Sequence, residues 1–165
     1  MPFDVCFTSP LSRAKKTAEI VLKGRNIPII EEPRIIEMGF GELEGKCCSK
    51  DGWEMPDSFQ AFFDDPEHYE PVGTGESFAD VKARVGEFLH WLSEEECYRD
   101  SKILISTHGA ALAGMMNTIK GEPLAKYWGI GVHMNCAVTK VEVVDGTYTI
   151  IFENQVYYDD EVKDW

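Results

Sequence analysis

The chain has 165 residues, 44% of them hydrophobic, and a formal net charge of −13 at pH 7. This length suits a single domain with one core, and the apolar fraction excludes an intrinsically disordered chain. The negative charge argues against nucleic acid or an anionic membrane surface as a partner. No apolar run approaches the roughly 18 residues of a membrane span and no signal-peptide pattern opens the chain, so we expect a cytoplasmic protein.

The first predicted elements are a short strand over residues 3–7 and a helix over about 11–23. Ser9 is predicted to cap this helix, Pro10 suits its first position, and Arg13 falls in its first turn. A guanidinium beside the free N–H groups of a helix start is well placed to bind an oxyanion. This strand-to-helix junction is therefore a candidate anion site.

The middle of the chain is less regular. Residues 27–30 form a short extended segment whose proline predicts an edge strand, and a glycine-rich loop follows over 35–45. Residues 46–75 combine aromatic and acidic residues and predict an irregular lid with one short helix. From Ser77 onward, apolar residues recur at helical spacing as far as residue 92, and Ser77 with Asp80 resembles a capping box.

A second strand-to-helix junction follows at residues 103–110. The apolar run 103–106 predicts a strand, His108 and Gly109 come directly after it, and a helix of small residues follows over 110–119. Taken alone, Arg13 would also fit a surface ion pair and His108 a structural histidine. An arginine and a histidine at two such junctions, however, are what a phosphate pocket needs.

The chain closes with strands over residues 137–144 and 147–152, joined by Asp145-Gly146, a strong hairpin signal. The alternation of strands and helices predicts the α/β class. We expect three layers, α/β/α, with a mostly parallel sheet and a C-terminal antiparallel hairpin.

The cysteines are odd in number and none is spaced as in a C-x-x-C motif, so neither disulfides nor a zinc site are expected: Cys6, Cys47, Cys48, Cys97 and Cys136. The other histidines are scattered, and we predict no metal and no cofactor. Cys6 and Arg13 have six residues between them, one more than a cysteine phosphatase loop, and Pro10 removes an N–H donor from that stretch. Cys6 is therefore predicted to be a core residue.

Four ordered segments resemble motifs of the histidine phosphatase superfamily, also called phosphoglycerate mutase-like: residues 4–18, 37–45, 75–84 and 106–109. Members bind a phosphoryl group between two arginines and two histidines, one of which attacks phosphorus, while a carboxylic acid protonates the leaving oxygen. The resemblance implies that Arg13 binds phosphate, that His108 is the second, electrostatic histidine, and that Glu37 is the proton donor. Ser9 and Gly109, at the two helix starts, are predicted to help bind the substrate.

The superfamily's nucleophilic histidine and other arginine belong to an N-terminal Arg-His-Gly motif, which these 165 residues do not contain. The resemblance therefore implies one domain over residues 1–165, N-terminally truncated, with a lid-like insertion at about 46–75. In the superfamily the missing first strand lies between the strand at 103–106 and the terminal hairpin. We expect either direct pairing of 103–106 with 137–144 or, preferably, a homodimer that borrows a strand.

The predicted function of the complete form is hydrolysis of small phosphomonoesters through a phosphohistidine, with this chain weakly active or inactive. Its expected partner is a small phosphorylated substrate or inorganic phosphate. One alternative is a noncatalytic phosphate-binding or regulatory remnant. A second is mutase-type phosphoryl transfer, but residues 37–41 read Glu-Met-Gly-Phe-Gly where mutases resemble Glu-Arg-His-Tyr-Gly, and Lys46 and Lys50 are the only basic residues (Lys or Arg) of 46–75.

Overall fold

The computed structural model describes residues 2–49 and 51–158, so Lys50 of the predicted lid and the ends of the predicted domain lie outside it. Its main sheet is parallel, with the order β2-β1-β3: β1 is Val5–Thr8, β2 is Ile29–Glu31 and β3 is Ile103–Ser106. Cys6 of β1 is in register with Ile29 on one side and Leu104 on the other. Every residue of β1 is buried, as expected for a central strand.

The α-helices are α1 (Ser12–Val21), α2 (Ala61–Asp64), α3 (Phe78–Glu94) and α4 (Gly109–Lys120). Helix α3 begins with the predicted capping box, because Ser77 Oγ accepts a hydrogen bond from Asp80 N while Ser77 N donates to Asp80 Oδ2. Strands β4 (Val138–Val144) and β5 (Thr147–Gln155) form a separate antiparallel hairpin. Its turn residues Asp145 and Gly146 have φ of 48° and 74°, the left-handed pair that a tight hairpin requires. The α/β prediction is confirmed.

The core lies between the sheet and helices α3 and α4. Phe7 of β1 makes edge-to-face contacts with Phe88, Trp91 and Tyr98, with ring centroids 5.4–5.8 Å apart. The segment predicted as a lid contributes to this same core, since Phe59 and Phe62 are buried and stack at 4.9 Å. These aromatic residues therefore anchor residues 51–75 to the body of the domain.

The start of α1 differs from the prediction. The helix begins at Ser12 after Leu11, with no side-chain cap, and Pro10 lies outside it. The reason is that Ser9 N donates to Ser106 O at 2.9 Å, so the backbone of Ser9 continues the hydrogen bonding between β1 and β3. Ser9 Oγ accepts from Leu11 N at 3.3 Å, so it stabilises the turn that leads into α1 without capping the helix itself.

The predicted direct closure of the sheet is wrong in the part of the chain that the structure describes. Strand β3 pairs with β1 on one side only, and β4 pairs only with β5. Ile103, Leu104 and Ile105 are accordingly half-buried, although β1 beside them is fully buried. Among the described residues, strand β3 therefore has one edge without a strand partner and forms no ladder with the hairpin. In the same residues, no helix has the length and apolarity needed to cross a membrane.

Candidate active site

Two strand-to-helix junctions meet at His108. Arg13, in the first turn of α1, donates from Nε to His108 Nδ1 at 3.1 Å, although the two residues are 95 positions apart. His108 Nε2 lies 2.7 Å from Ser9 Oγ on its other side. The parallel pairing of β1 and β3 creates this meeting, because parallel strands end at the same edge of a sheet.

This arrangement requires a neutral imidazole at His108. Nδ1 accepts the Arg13 N–H, so the ring proton is on Nε2, where it can be donated to Ser9 Oγ. Burial, together with the positive charges of Arg13 and Arg84, lowers the pKa of His108 from 6.5 to about 4. The ring is therefore uncharged at neutral pH in this arrangement, and an anion bound beside it would raise its pKa.

Glu37 lies against the start of α4. Its Oε1 accepts from Ala111 N at 3.1 Å and from its neighbour Met38 N at 3.0 Å, and its Oε2 accepts from Ala110 N at 3.4 Å. Gly109 begins the helix, and a Cβ there would lie 3.9 Å from Glu37 Oε2, so the carboxyl group sits directly over the first turn. This position brings Glu37 next to the residue after His108.

The pKa of Glu37 is raised, because burial disfavours the carboxylate more than the stabilising contacts favour it. Those contacts are the N–H groups of Met38, Ala110 and Ala111 and the charge of Arg13. A carboxyl group with a raised pKa keeps its proton closer to neutral pH, which suits a general acid. The site thus combines a permanent cation, a protonatable imidazole and a carboxylic acid.

The segment bearing Glu37 is held by residues whose part in the site the sequence analysis missed. Thr107 Oγ1 donates to Ile35 O at 2.7 Å, and the Arg84 guanidinium donates to backbone carbonyls on the same segment. Arg84 also pairs with Glu76 at 2.8 Å. The sequence pattern that could have identified Arg84 lies in the segment 75–84, where a Gly-Glu-Ser helix start precedes an arginine seven residues after the serine.

Other candidate groups lie away from this junction. Cys6 is fully buried in a small cluster with Ala18 and Leu22, and burial raises the pKa of its thiol to about 11, which makes it a poor nucleophile. His133 is buried beside Glu153, with Nε2 and Oε1 3.5 Å apart. Residues 2–49 and 51–158 contain no group of three or more His, Cys, Asp or Glu side chains arranged for a metal ion.

Comparison with known proteins identifies the superfamily to which the chain belongs. The family model of the histidine phosphatase superfamily (branch 1) matches residues 1–155. The chain belongs to this superfamily. Phosphoserine phosphatase 1 of Hydrogenobacter thermophilus is 30% identical over 128 residues, which are 78% of this chain and 59% of that protein. Adenosylcobalamin/alpha-ribazole phosphatase of Escherichia coli is 31% identical over 134 residues, which are 81% of this chain and 64% of that protein.

Among solved structures, Bacillus stearothermophilus YhfR is similar to this chain, with a TM-score of 0.85 and 33% sequence identity. The match covers 95% of this chain and 76% of YhfR. The chain spans less than two thirds of the length of the two curated relatives. The resemblance noted in the sequence is therefore confirmed at the level of superfamily and fold, and the roles of Arg13, Ser9, Glu37, His108 and Gly109 stay predictions.

The lowered pKa of His108 predicts a pH-dependent stability. The unfolded chain takes up a proton on this residue below about pH 6.5 and the folded chain only near pH 4, so folding is disfavoured as the pH falls between these values. Allowing for solvent screening of the half-buried ring, we expect the loss to be about 1–2 kcal/mol. Urea unfolding at pH 7 and pH 4.5 measures it. His108→Gln should remove this part of the loss, whereas His90→Gln, at an exposed position of α3, should retain it.

Proposed function

We propose that this protein is a phosphatase of small phosphomonoesters, with a phosphoryl pocket formed by Arg13, Ser9, His108 and Gly109 and with Glu37 as the proton donor. The observation that supports this most strongly is the contact between Arg13 and His108 across two strand-to-helix junctions, with the Glu37 carboxyl group over the first turn of α4. Two curated relatives, which are 30% and 31% identical to this chain, are named as phosphatases.

Each group has a distinct part in this chemistry. Arg13 supplies a permanent charge and a planar set of donors for the phosphoryl oxygens. An entering phosphate dianion would compete with His108 for the Arg13 N–H groups, and protonation of His108 would add a second positive charge. Glu37, whose pKa is raised by burial, would give its proton to the leaving alkoxide oxygen. The first amide of α4, at Gly109, adds the positive end of a helix dipole.

The attacking histidine and the second arginine of the superfamily are proposed to come from one further strand. Strand β3 has a free edge within the described residues, and the hairpin β4–β5 stands apart from it. A strand inserted parallel to β3 would end beside Ser106 and His108, the edge where an Arg-His-Gly motif must lie to reach the pocket. Without it, the 165-residue chain should be weakly active or inactive, since each such role is worth about 10²–10⁴-fold.

A noncatalytic phosphate-binding protein is the second candidate. It rests on the same pocket, because Arg13 and His108 are present while residues 1–165 contain no Arg-His-Gly motif. Mutase-type transfer has less support, since Met38 and Gly39 stand where the mutase pattern has a basic pair. Both the phosphatase and the noncatalytic protein would bind phosphate. They differ in whether a phosphomonoester is hydrolysed once the further strand is supplied.

Phosphate binding is the direct test of the pocket. Titration of the chain with inorganic phosphate should shift the NMR signals of the His108 ring and the Arg13 Nε–H group. Arg13→Ala should weaken binding by about 10–100-fold, the range expected for loss of a charge-assisted hydrogen bond. Lys16→Ala, which removes the same charge from an exposed site on α1, is the matched control and should bind as the parent does. An unchanged His108 signal at saturating phosphate would contradict the pocket.

We also propose that the chain forms a homodimer through the free edge of β3. Unpaired backbone groups on an inner strand cost about 1–3 kcal/mol each when they are buried without partners, and half-buried apolar residues line this edge. Light scattering should then give about twice the monomer mass of 18.7 kDa. A single folded species of monomer mass over the accessible concentration range would rule out strand borrowing between copies.

A further inference from the structure

Arg84 and Glu76 form an ion pair that grips the segment carrying Glu37. We infer that this pair positions the Glu37 carboxyl group over the start of α4, so that proton donation depends on two residues outside the pocket. The inference rests on the proposed function only in naming Glu37 the proton donor. The positioning itself is argued from contacts within the described residues.

Arg84 fixes the segment on the N-terminal side of Glu37. Its Nη1 donates to both Arg34 O and Ile36 O, each at 2.8 Å. Ile36 immediately precedes Glu37, so the position of its carbonyl group sets the direction in which the Glu37 side chain leaves the backbone. A lysine could not make both contacts while also holding Glu76 through two nitrogens.

Glu76 fixes the segment on the C-terminal side. Its Oε2 accepts from Gly39 N at 2.8 Å, and its own backbone N–H donates to Gly39 O at 2.8 Å. The same carboxylate accepts from Arg84 Nε at 2.8 Å and from Arg84 Nη2 at 3.0 Å, which is a bidentate pair. Glu37 therefore lies between two carbonyl groups bound by Arg84 and the N–H and C=O groups of Gly39, which are bound by Glu76.

The pair is supported by rigid neighbours and partly shielded from water. Arg84 lies on α3, whose start carries the capping box, and the side chains of Arg84 and Glu76 are 17% and 28% exposed. Gly41 has a φ of 57°, and a Cβ there would overlap the backbone of Val72 and Gly75, so the two loops are in close contact. Such a site holds a residue more firmly than a loop free in solvent.

Positioning and simple charge make opposite predictions for Glu37. If Arg84 acted only through its positive charge, its removal would raise the pKa of Glu37, because a nearby cation favours the carboxylate. If it acts by holding the segment, its removal lets water reach a carboxyl group whose pKa is raised by burial, and the pKa falls toward the ordinary value. The charged and titratable groups near Glu37 are Arg13, which acts through its charge, the neutral ring of His108 and the Tyr127 hydroxyl group.

The test is the titration of Glu37 in the 165-residue chain, followed by the ¹³C signal of its carboxyl carbon. Arg84→Gln should lower the midpoint, and Arg84→Lys should fail to restore it although the charge is kept. Lys82→Gln is the matched control, because Lys82 lies on the same helix and donates to Glu122 O, away from the segment. It should leave the midpoint unchanged.

Glu76→Gln covers the case in which Arg84→Gln does not fold, since glutamine has the same shape and retains an acceptor for Gly39 N. Its readout is hydrogen exchange at the Gly39 amide, which should become faster when the bidentate pair with Arg84 is lost. The midpoint is not used for this variant, because loss of the Glu76 charge alone would also lower it. A raised or unchanged midpoint in folded Arg84→Gln, full recovery in Arg84→Lys, or unchanged exchange at the Gly39 amide in Glu76→Gln would overturn the inference. No turnover is measured, so a failure here is distinct from a failure of the proposed phosphatase function.

Discussion

If the proposed further strand supplies the attacking histidine and the second arginine, adding it should raise phosphatase activity by at least about 10³-fold, since each such role is worth about 10²–10⁴-fold. The strand-and-helix segment with its Arg-His-Gly motif would be taken from a superfamily member as similar as YhfR and joined ahead of residue 2 by a flexible linker. Hydrolysis of p-nitrophenyl phosphate by this chimera and by the 165-residue chain gives the comparison.

The matched control is the same chimera with the motif's histidine replaced by alanine. It should complete the sheet, as judged by a higher urea midpoint and a monomeric mass, yet hydrolyse the ester no faster than the parent chain. If the intact chimera folds and binds phosphate but shows no gain, the noncatalytic phosphate-binding function is favoured. Robust hydrolysis by the 165-residue chain itself would instead refute the need for the added histidine.

The free edge of β3 explains why the sequence pattern predicts this strand correctly but not how deeply it is buried. Residues 103–106 have the composition of a fully buried parallel strand, and β3 forms over the predicted range. Burial of its second edge depends on a neighbour that these residues do not supply, and so Ile103 and Ile105 are left half-buried. The local pattern determines that a strand forms, whereas its pairing depends on the rest of the sheet.

Much of the candidate site could be anticipated because parallel strands deliver their C-terminal ends to one edge. That rule brings Arg13 and His108 together without any knowledge of side-chain packing. Ser9 was assigned correctly to the junction but for the wrong reason, since backbone pairing with Ser106 and not helix capping sets its position. Local capping rules cannot take account of a competing partner almost a hundred residues away.

The geometry of the loop that carries Glu37 could not be predicted from the sequence. Glu37 lies in a segment without helical or strand periodicity, and its contacts with Ala110 and Ala111 arise only when that segment folds over α4. The aromatic residues at 59 and 62 were assigned to an irregular lid rich in acidic residues, and both side chains lie in the core. Composition does not separate a lid from an irregular core segment when periodicity is absent.

The second large effect is expected at Glu37. In the active chimera, Glu37→Gln should reduce kcat by about 10²–10⁴-fold on an alkyl phosphate, because glutamine cannot give a proton to a poor leaving group. The loss on p-nitrophenyl phosphate should be smaller, since p-nitrophenolate leaves without much protonation. Glu42→Gln, at an exposed position of the same loop, is the matched control and should retain activity on both esters.

The pH dependence of activity provides a second test of Glu37 as the proton donor. Burial raises the pKa of Glu37, so the protonated form that donates persists to a higher pH than it would in an ordinary glutamate. Activity on the alkyl phosphate should therefore fall as the pH rises through that raised pKa, and Glu37→Gln should remove this alkaline decline while Glu42→Gln retains it. A Glu37→Gln chimera with equal activity on both esters and an unchanged profile would show that another group protonates the leaving oxygen. The geometry at the start of α4 would then serve only to hold the segment in place.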